Sequence, residues 1–279
     1  MLHELLLTEQ LSGDYMISGK SKMGNRLSKA DKTLAVEMYK DGYLLKDIAV
    51  KIQTSINTIS RHLKNIGMRE RDNSQNPHRK YHTKHFIDKT PEYWYLVGIM
   101  LTDGHINNNA ATVVSKDFSL LKKIESVFFK SENNVMVVNK VEDVTYYRIT
   151  FYSVWVTDIL RKDIIFQKKS YDVKFPTTTT NQNFWSLMRG IIDGDGCIYG
   201  DKSVQICSAS INFINGCAEE LLNRGFIIKH YHSGAKSGNT RQIHIMGGKS
   251  ARKKFLMQLY SDKSHLRLER KYNTFVDKY

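Results

Sequence analysis

Two apolar stretches of the chain share one pattern of residues, and both end in Asp-Gly. The first runs from Tyr93 to Gly104 and the second from Phe184 to Gly196. Each begins with aromatic residues, continues with apolar ones and is long enough for about three turns of helix. We therefore predict two apolar helices that echo each other along the chain and end at an aspartate.

Each predicted helix carries two small residues one helical turn apart. They are Gly98 and Thr102 in the first helix, and Gly190 and Gly194 in the second. Residues at this spacing lie on the same helix face, and a face of small residues lets two backbones approach closely. The sequence thus predicts that the two helices pack against each other through these residues.

Asp103 and Asp195 stand at the predicted C-terminal ends of the two helices. The helix dipole is negative at that end and the last carbonyl oxygens lack partners, so a carboxylate is disfavoured there. Two such ends brought together need a cation, and Mg²⁺ prefers oxygen ligands. Gly104 and Gly196 occupy the position at which a helix commonly ends in a left-handed glycine. The pattern predicts a divalent metal site between two glycine-capped helices.

The hydrophobic periodicity around these helices predicts the same succession of elements twice. The first half has helix Pro91–Asp103, strands His105–Asn107 and Ala111–Ser115, helix Asp117–Phe129, strands Val135–Asn139 and Thr145–Tyr152, and a helix around Val154–Leu160. The second half has a helix ending at Asp195, strands near Cys197–Tyr199 and Ser203–Ser208, helix Ser210–Arg224, strands Phe226–His232 and Arg241–Met246, and helix Ser250–Tyr260. We predict an α+β fold of two pseudo-symmetric αββαββα units with antiparallel sheets.

Residues 27–66 carry the pattern of three short helices. Ser28, followed by Asp31, predicts the N-cap of the first helix, and Ser55 predicts that of the third. The pattern resembles a helix-turn-helix, although Gln53 stands where the turn usually has glycine. Such a domain sets its recognition helix in the major groove of DNA. The candidate DNA contacts on that helix are Asn57, Thr58, Ser60, Arg61 and Lys64. The alternative is a three-helix bundle that binds protein or nothing.

The charge of the chain points to a polyanionic partner. Its 279 residues have a formal net charge of +14, and nucleic acid is the usual partner of so basic a protein. No apolar run reaches the length of a bilayer span, and the N-terminus lacks the features of a signal peptide. We therefore expect a cytoplasmic protein that binds no membrane. The three cysteines form no C-x-x-C pair, which argues against a zinc site.

The two Asp-Gly stretches resemble the paired motifs of the LAGLIDADG homing endonucleases. Residues 188–196, MRGIIDGDG, match well and place the metal-binding acid of the family at Asp195. Residues 96–104, LVGIMLTDG, have Leu101 where the motif has its earlier aspartate, but keep the later acid as Asp103. The αββαββα order is also that of the family, and the resemblance covers roughly residues 85–260.

The resemblance implies a site-specific DNA endonuclease of a mobile element. It implies that Asp103 and Asp195 hold divalent metal, Mg²⁺ with Mn²⁺ as a substitute, and that the backbone carbonyls of Thr102 and Gly194 add ligands. Family members also carry a basic or amide residue after the second strand, which here is Lys116. The product is expected to be a double-strand break with short 3′ overhangs.

The family places its sheets in the major groove on either side of the cut. This implies that a monomer binds a long pseudo-palindromic site on double-stranded DNA. The candidate contacts on the exposed sheet faces are Arg148 in the first half, with Tyr146 and Thr150, and Lys229 and Arg241 in the second, with Tyr231 and His244.

Two other functions fit the same residues. One is a DNA-binding regulator that does not cleave, and the other is a maturase that assists splicing of its own intron RNA. Both acids being present favours the endonuclease, and the helix-turn-helix favours duplex DNA over RNA.

Five segments follow from the pattern. We divide the chain into an N-terminal tail (1–26), the helix-turn-helix domain (27–66), a basic linker (67–90), the first half of the repeat (91–180) and the second half with a basic C-terminal tail (181–279).

Overall fold

The structure is a computed structural model. It describes residues 27–68, 77–164, 173–232, 240–262 and 265–279. The predicted N-terminal tail lies outside the described residues. Within them, no helix is both long and apolar enough to cross a membrane.

The N-terminal domain consists of three helices, α1 (Lys29–Lys40), α2 (Leu45–Ile52) and α3 (Ile56–Asn65). Both predicted caps are confirmed, because Ser28 forms a capping box with Asp31 and the Ser55 side chain accepts from the backbone N–H of Thr58. Gln53 takes the left-handed conformation of the usual turn glycine, with φ 56° and ψ 47°. The turn geometry is therefore kept without glycine, at a steric cost of roughly 1–2 kcal/mol.

The N-terminal domain has its own small core but is docked on the rest of the chain. The indole N–H of Trp155 donates to the carbonyl oxygen of Lys40 at 2.7 Å. Gly42 sits against the same indole and Pro77, where an added Cβ would lie 3.0 Å from each. The turn between α1 and α2 is therefore held by residues outside its own domain.

Part of the predicted basic linker is folded. Residues 77–90 include α4 (Pro77–Lys80) and α5 (Lys84–Ile87). Tyr81 and Phe86 are both 1% exposed in the main core, and residues 69–76 lie outside the described part. The prediction of a linker over all of 67–90 is therefore wrong, because two aromatic residues too far apart to form a periodic pattern anchor this segment.

The first half of the repeat follows the predicted order. It contains α6 (Pro91–Thr102), β1 (Gly104–Ile106), β2 (Ala110–Ser115), α7 (Phe118–Phe128), β3 (Val135–Val141), β4 (Val144–Tyr152) and α8 (Val154–Asp163). Its strands form one antiparallel sheet in the order β1-β2-β4-β3.

The second half repeats this arrangement. It contains α9 (Asn181–Asp195), β5 (Gly196–Tyr199), β6 (Ser203–Ser208), α10 (Ile211–Asn223), β7 (Ile228–His232), β8 (Arg241–Ile245) and α11 (Gly248–Leu259). The strand order β5-β6-β8-β7 matches that of the first sheet. The predicted fold class is therefore confirmed.

Helices α6 and α9 are in direct backbone contact. A Cβ placed on Gly98 would lie 2.8 Å from the Cα of Gly190 and closer still to the carbonyl oxygen of Leu187. A Cβ on Gly190 would meet the carbonyl oxygen of Tyr95 in the same way, and one on Gly194 would overlap the Thr102 side chain. The predicted packing of the two helices through their small residues is thus confirmed.

The predicted C-terminal basic tail contains a further helix, α12 (Glu269–Lys278). Tyr272, Phe275 and Tyr279 form an aromatic stripe along it. Phe275 stacks on Tyr260, the residue that follows α11, with ring centroids 5.6 Å apart. Aromatic packing therefore joins the last helix to the second half of the repeat.

We expect Gly190→Ala to destabilise the protein, since the new methyl group would push apart two backbones rather than displace a side chain. Forced overpacking costs roughly 1–3 kcal/mol, which outweighs the gain of about 1 kcal/mol in helix propensity. The measurement is the free energy of unfolding in urea. Asn215→Ala in α10 is the control, because it raises helix propensity at an exposed position without placing a methyl group against another backbone. Equal effects of the two substitutions would contradict the prediction.

Candidate metal and DNA-binding site

The two motif aspartates lie at the ends of the paired helices. Asp103 is the C-cap of α6, and Asp195 is the last residue of α9. Both are exposed, while nine preceding residues of α6, Tyr93 to Leu101, are buried. The two carboxylates therefore lie at the surface, at the same end of the buried helix pair.

The glycines after the aspartates are not left-handed caps, so that prediction is wrong. Gly196 has φ −79° and ψ 163° and begins β5, as Gly104 begins β1. Glycine is needed for a different reason, since an added Cβ would lie 2.5 Å from the Cα of Met100 at Gly104 and 2.6 Å from that of Ile192 at Gly196. Each chain turns from helix to strand so sharply that the strand begins against the last helical turn.

A cleft of about 230 Å³ opens beside the helix ends. It is lined by Leu101, Thr102, Val173, Asp195, Cys207, Ser208, Ala209 and Phe213. The helix pair, the end of β6 and the start of α10 therefore surround one polar opening that contains a motif aspartate.

The donor set fits a hard divalent ion held by few side chains. Among the described residues, no three or more His, Cys, Asp or Glu side chains form a metal cluster. The oxygen atoms that could hold such an ion are those of the Asp103 and Asp195 carboxylates and of the backbone carbonyls at the two helix ends. A protein cation already lies against one of these ends, which shows that it attracts positive charge.

That cation is Lys271 of α12, which is only 6% exposed. Its Nζ donates to the carbonyl oxygens of Ile192 at 2.5 Å, Asp193 at 2.9 Å, Gly194 at 3.4 Å and Gly196 at 2.7 Å. Burial lowers the pKa of Lys271, and the negative charges of Asp193 and Asp103 oppose that shift. One lysine thus donates to the backbone carbonyl oxygens at the end of α9 and the start of β5.

Asp193, the earlier aspartate of the second motif, points into the protein and is 3% exposed. Its Oδ2 accepts from the hydroxyl of Tyr95 at 2.9 Å and from the backbone N–H of Leu268 at 2.8 Å. Burial raises the pKa of Asp193 to about 6, and these hydrogen bonds and Lys271 act in the opposite direction. This residue holds α6 and the C-terminal segment rather than facing the cleft.

Arg189 ties the same segment to α9. It is 1% exposed and forms a two-pronged pair with Asp262, at 2.6 Å and 2.8 Å. Its Nε also donates to the carbonyl oxygen of Leu266 at 2.9 Å. Such a geometry matches the fixed fork of guanidinium donors to a carboxylate.

Lys116 lies where the resemblance expects a basic residue, just after β2, and is exposed. The two halves share one turn at this point, because the Ser115 hydroxyl accepts from the N–H of Asp117 and the Ser208 hydroxyl from that of Ser210, both at 3.1 Å. Ala209 is therefore the counterpart of Lys116, and the second half carries no charge there.

The first sheet has an open face with the predicted residues. Arg148 lies between the partly buried Tyr147 and the buried Ile149 in sequence. It pairs with Val114 and Met136 across the sheet. Tyr146 and Thr150 share its face by strand alternation. The prediction that these three residues face one way is therefore confirmed.

In the second sheet one candidate residue, Arg241, lies on the opposite face from the one that we expected. Lys229 pairs directly with His244, and Tyr231 lies on the same face with its ring 4.2 Å from that of His244. Arg241 instead pairs with His232, on the face that bears the core residue Ile243. The placement of Arg241 beside Lys229 and His244 is thus wrong, because one step along a strand reverses the face.

The candidate residues of the helix-turn-helix lie on α3 or at its start. Asn57, Arg61 and Lys64 are exposed, and Thr58 and Ser60 are partly exposed. The buried side of α3 consists of Ile59 and Leu63. The polar side of the helix is therefore available for a partner.

Sequence reasoning missed Lys271, Arg189 and the partners of Asp193. Lys271 stands in a run of basic residues, for which the sequence predicts a final helix or a basic tail. The signal that indicates a folded segment is the helical spacing of Tyr272, Phe275 and Tyr279. Nothing local to Lys271 shows that α9 lies against it.

Comparison with known proteins gives structural matches only. No family model matches the sequence, and no curated protein matches it. Variants of the homing endonuclease I-DmoI match with a TM-score of 0.45, at 16% identity over 63% of this chain and 98% of that chain. I-DmoI in complex with DNA and Ca matches with a TM-score of 0.44, at 14% identity over 64% and 92%.

A second kind of protein matches as well. The N-terminal LAGLIDADG domain of DUF199/WhiA has a TM-score of 0.42, at 13% identity over 72% of this chain and 97% of that chain. All these values lie below the level at which similarity supports an argument about activity. The αββαββα succession in each half and the contact between the two motif helices are the arrangement that the sequence predicted.

We expect Asp193→Asn to change how stability depends on pH. The folded-state pKa of Asp193, about 6, lies above its ordinary value of 3.8, so its contribution to stability is full below about pH 4 and is lost as pH rises through 6. As pH rises from 4 to 7, the free energy of unfolding of the variant should therefore increase relative to that of the wild type, by on the order of 2–3 kcal/mol. The measurement is urea unfolding in EDTA. Asp158→Asn, an exposed aspartate of α8, is the control, and a difference independent of pH would contradict the prediction.

Proposed function

We propose that this protein is a site-specific, metal-dependent endonuclease that cleaves both strands of DNA. The observation that carries the proposal is the pair of exposed aspartates, Asp103 and Asp195, at the ends of two helices in backbone contact. A binding surface alone has no need of two carboxylates that repel a phosphate backbone. Their presence in a chain with a net charge of +14 is best explained by a bound cation.

The metal would be held by Asp103 and Asp195 with the backbone carbonyls of Thr102 and Gly194. Mg²⁺ suits these oxygen ligands, and Mn²⁺ is a reasonable substitute. When bound, a divalent ion neutralises charge on the scissile phosphate, activates water and helps the leaving oxygen. The exposed position of both carboxylates lets a phosphate group reach them.

Lys116 would add positive charge near one of the two scissile phosphates. It is exposed on the turn that follows β2, and its counterpart Ala209 lines the cleft without a charge. This difference supports unequal cleavage of the two DNA strands.

The DNA would lie along the open sheet faces and α3. Arg148 and Lys229 supply one cation to each open face, and Asn57, Thr58, Ser60, Arg61 and Lys64 line the polar side of α3. The net charge of +14 favours a phosphate backbone over other partners. A single chain with two half-sites would act on a long pseudo-palindromic sequence as a monomer.

A non-cleaving DNA-binding regulator is the second candidate. One observation favours it, since Lys271 already donates to the carbonyl of Gly194, which the metal would need. Similar structures include I-DmoI with its target DNA in the presence of Mg and full-length WhiA of Thermotoga maritima. At their TM-scores they do not decide between the candidates, so cleavage has to be measured.

We expect Asp103→Asn and Asp195→Asn each to reduce cleavage by at least about a hundredfold, because loss of a supporting residue alone has effects of that size at metal sites. The substrate is a plasmid library that carries the DNA flanking the gene, with Mg²⁺ or EDTA. DNA affinity should stay within about threefold of the wild type, since the change removes repulsion only.

Asp158→Asn should cleave as the wild type does and controls for general effects of the substitution. Specific binding without cleavage by the wild-type protein in either Mg²⁺ or Mn²⁺ would rule out the endonuclease and leave the regulator.

We expect Lys64→Ala and Lys229→Ala to weaken binding to every DNA sequence and to lower the salt slope of log Kd by about 1 each. Arg61→Ala should also relax the preference at one base pair, by about 1–3 kcal/mol. The measurement is fluorescence anisotropy over a range of KCl concentrations. Lys253→Ala is the control, because this exposed lysine lies on α11, which covers the other face of the second sheet. An unchanged salt slope for Lys64→Ala would exclude α3 from the interface.

A further inference from the structure

The C-terminal segment Leu266–Lys271, which we name the strap, runs from the second half of the repeat to the first. On the α9 side, Arg189 and Asp193 bind the backbone of Leu266 and Leu268. The side chains that make these contacts are buried, with Arg189 1% and Asp193 3% exposed. The strap is therefore fixed to the core of the second half before it reaches Lys271.

The other side of the strap contacts the first half. Lys123 of α7 forms an ion pair with Glu269 and donates to the carbonyl oxygen of Arg267 at 3.4 Å. Arg270 lies 3.8 Å from the carboxylate of Asp117, the residue next to Lys116. The strap thus connects the turn after β2 with the end of α9, the two places where the proposed site needs positive charge.

Lys271 is the last residue of the strap, and its side chain lies at the end of α9. An ammonium group has three donors, and four carbonyl oxygens around the end of α9 accept from it. One of them belongs to Gly194, whose carbonyl is a proposed metal ligand. A fixed positive charge therefore lies within the oxygen ligands assigned to the metal.

The end of α6 has a different environment. Thr102, the counterpart of Gly194, uses its hydroxyl to donate back to the carbonyl of Ile99 at 3.0 Å. The strap places its lysine at the end of α9, and α12 has no counterpart among the elements described in the first half. The two helix ends are thus chemically unequal although the motifs match.

We infer that Lys271 is a built-in cation that replaces a divalent ion at the Gly194 carbonyl, so that the protein binds fewer metal ions than its two motifs imply and cleaves the two DNA strands unequally. This inference rests on the proposed metal site. Lys271 acts as a positioning residue, because it holds the last turn of α9 and with it the approach of Asp195 to the cleft.

The test is titration of Mn²⁺ into the full-length protein by electron paramagnetic resonance, which counts bound ions without any need for cleavage. Lys271→Met keeps most of the side-chain volume and removes the charge, Lys271→Arg keeps the charge, and Lys278→Met changes an exposed lysine of the same helix. Lys271→Met should bind a further Mn²⁺ ion or bind Mn²⁺ at least about tenfold more tightly, since one repelling charge is lost at short range. The other two variants should behave as the wild type does.

The outcomes separate this inference from the proposed function. Equal Mn²⁺ binding by the wild type and Lys271→Met, with equal ratios of the two nicking rates, would overturn the inference alone. Binding by Lys271→Met but not by the wild type would support the replacement of the metal by Lys271, and would overturn both the endonuclease and the unequal cleavage. Binding by neither would overturn both. If Lys271→Met does not fold by circular dichroism, Lys271→Gln, which keeps donors without the charge, takes its place in the same comparison.

Discussion

The contact between the backbones of α6 and α9 is the constraint on which the site depends. Gly98 and Gly190 allow it, since any side chain there would separate the helices. Close packing brings the carbonyl ends of two helices together, and Asp103 and Asp195 add negative charge at the same place. The protein compensates part of this charge with Lys271. In the function that we propose, a divalent cation would lie at the same helix ends.

The elements of the repeat were predictable because their signals are local. Apolar residues at helical or alternating spacing fix both the type and the approximate bounds of an element, and the small residues of the motifs identify the helix contact. Where two conformations share one local signal, the prediction failed. Asp-Gly is typical of a helix cap, yet Gly196 continues directly into a strand. The face of Arg241 depended on a strand phase that the sequence leaves open by one residue.

The remaining features depend on contacts between distant parts of the chain. Tyr81 and Phe86 are too few to form a pattern, but the core of the first half closes over them. Lys271 and Arg189 are ordinary basic residues until the strap is seen beside α9. Their roles follow from burial, which a polar sequence does not show. The site as predicted therefore contained the carboxylates and lacked the charges that surround them.

The hydrogen bond from Trp155 to the carbonyl of Lys40 has a consequence for how the two proposed DNA-binding units work together. Units on a flexible tether gain affinity through effective concentration and tolerate variation in the spacing of their sites. Units that are docked on each other instead hold their DNA-binding surfaces at a fixed separation. A base pair inserted between the two parts of the target would then be opposed by the stiffness of the duplex, at a cost of order 1–6 kcal/mol for bends of 40–90°. The spacing between the two parts of the target would then contribute to recognition, because the hydrogen bond of Trp155 helps to fix the separation of the two units.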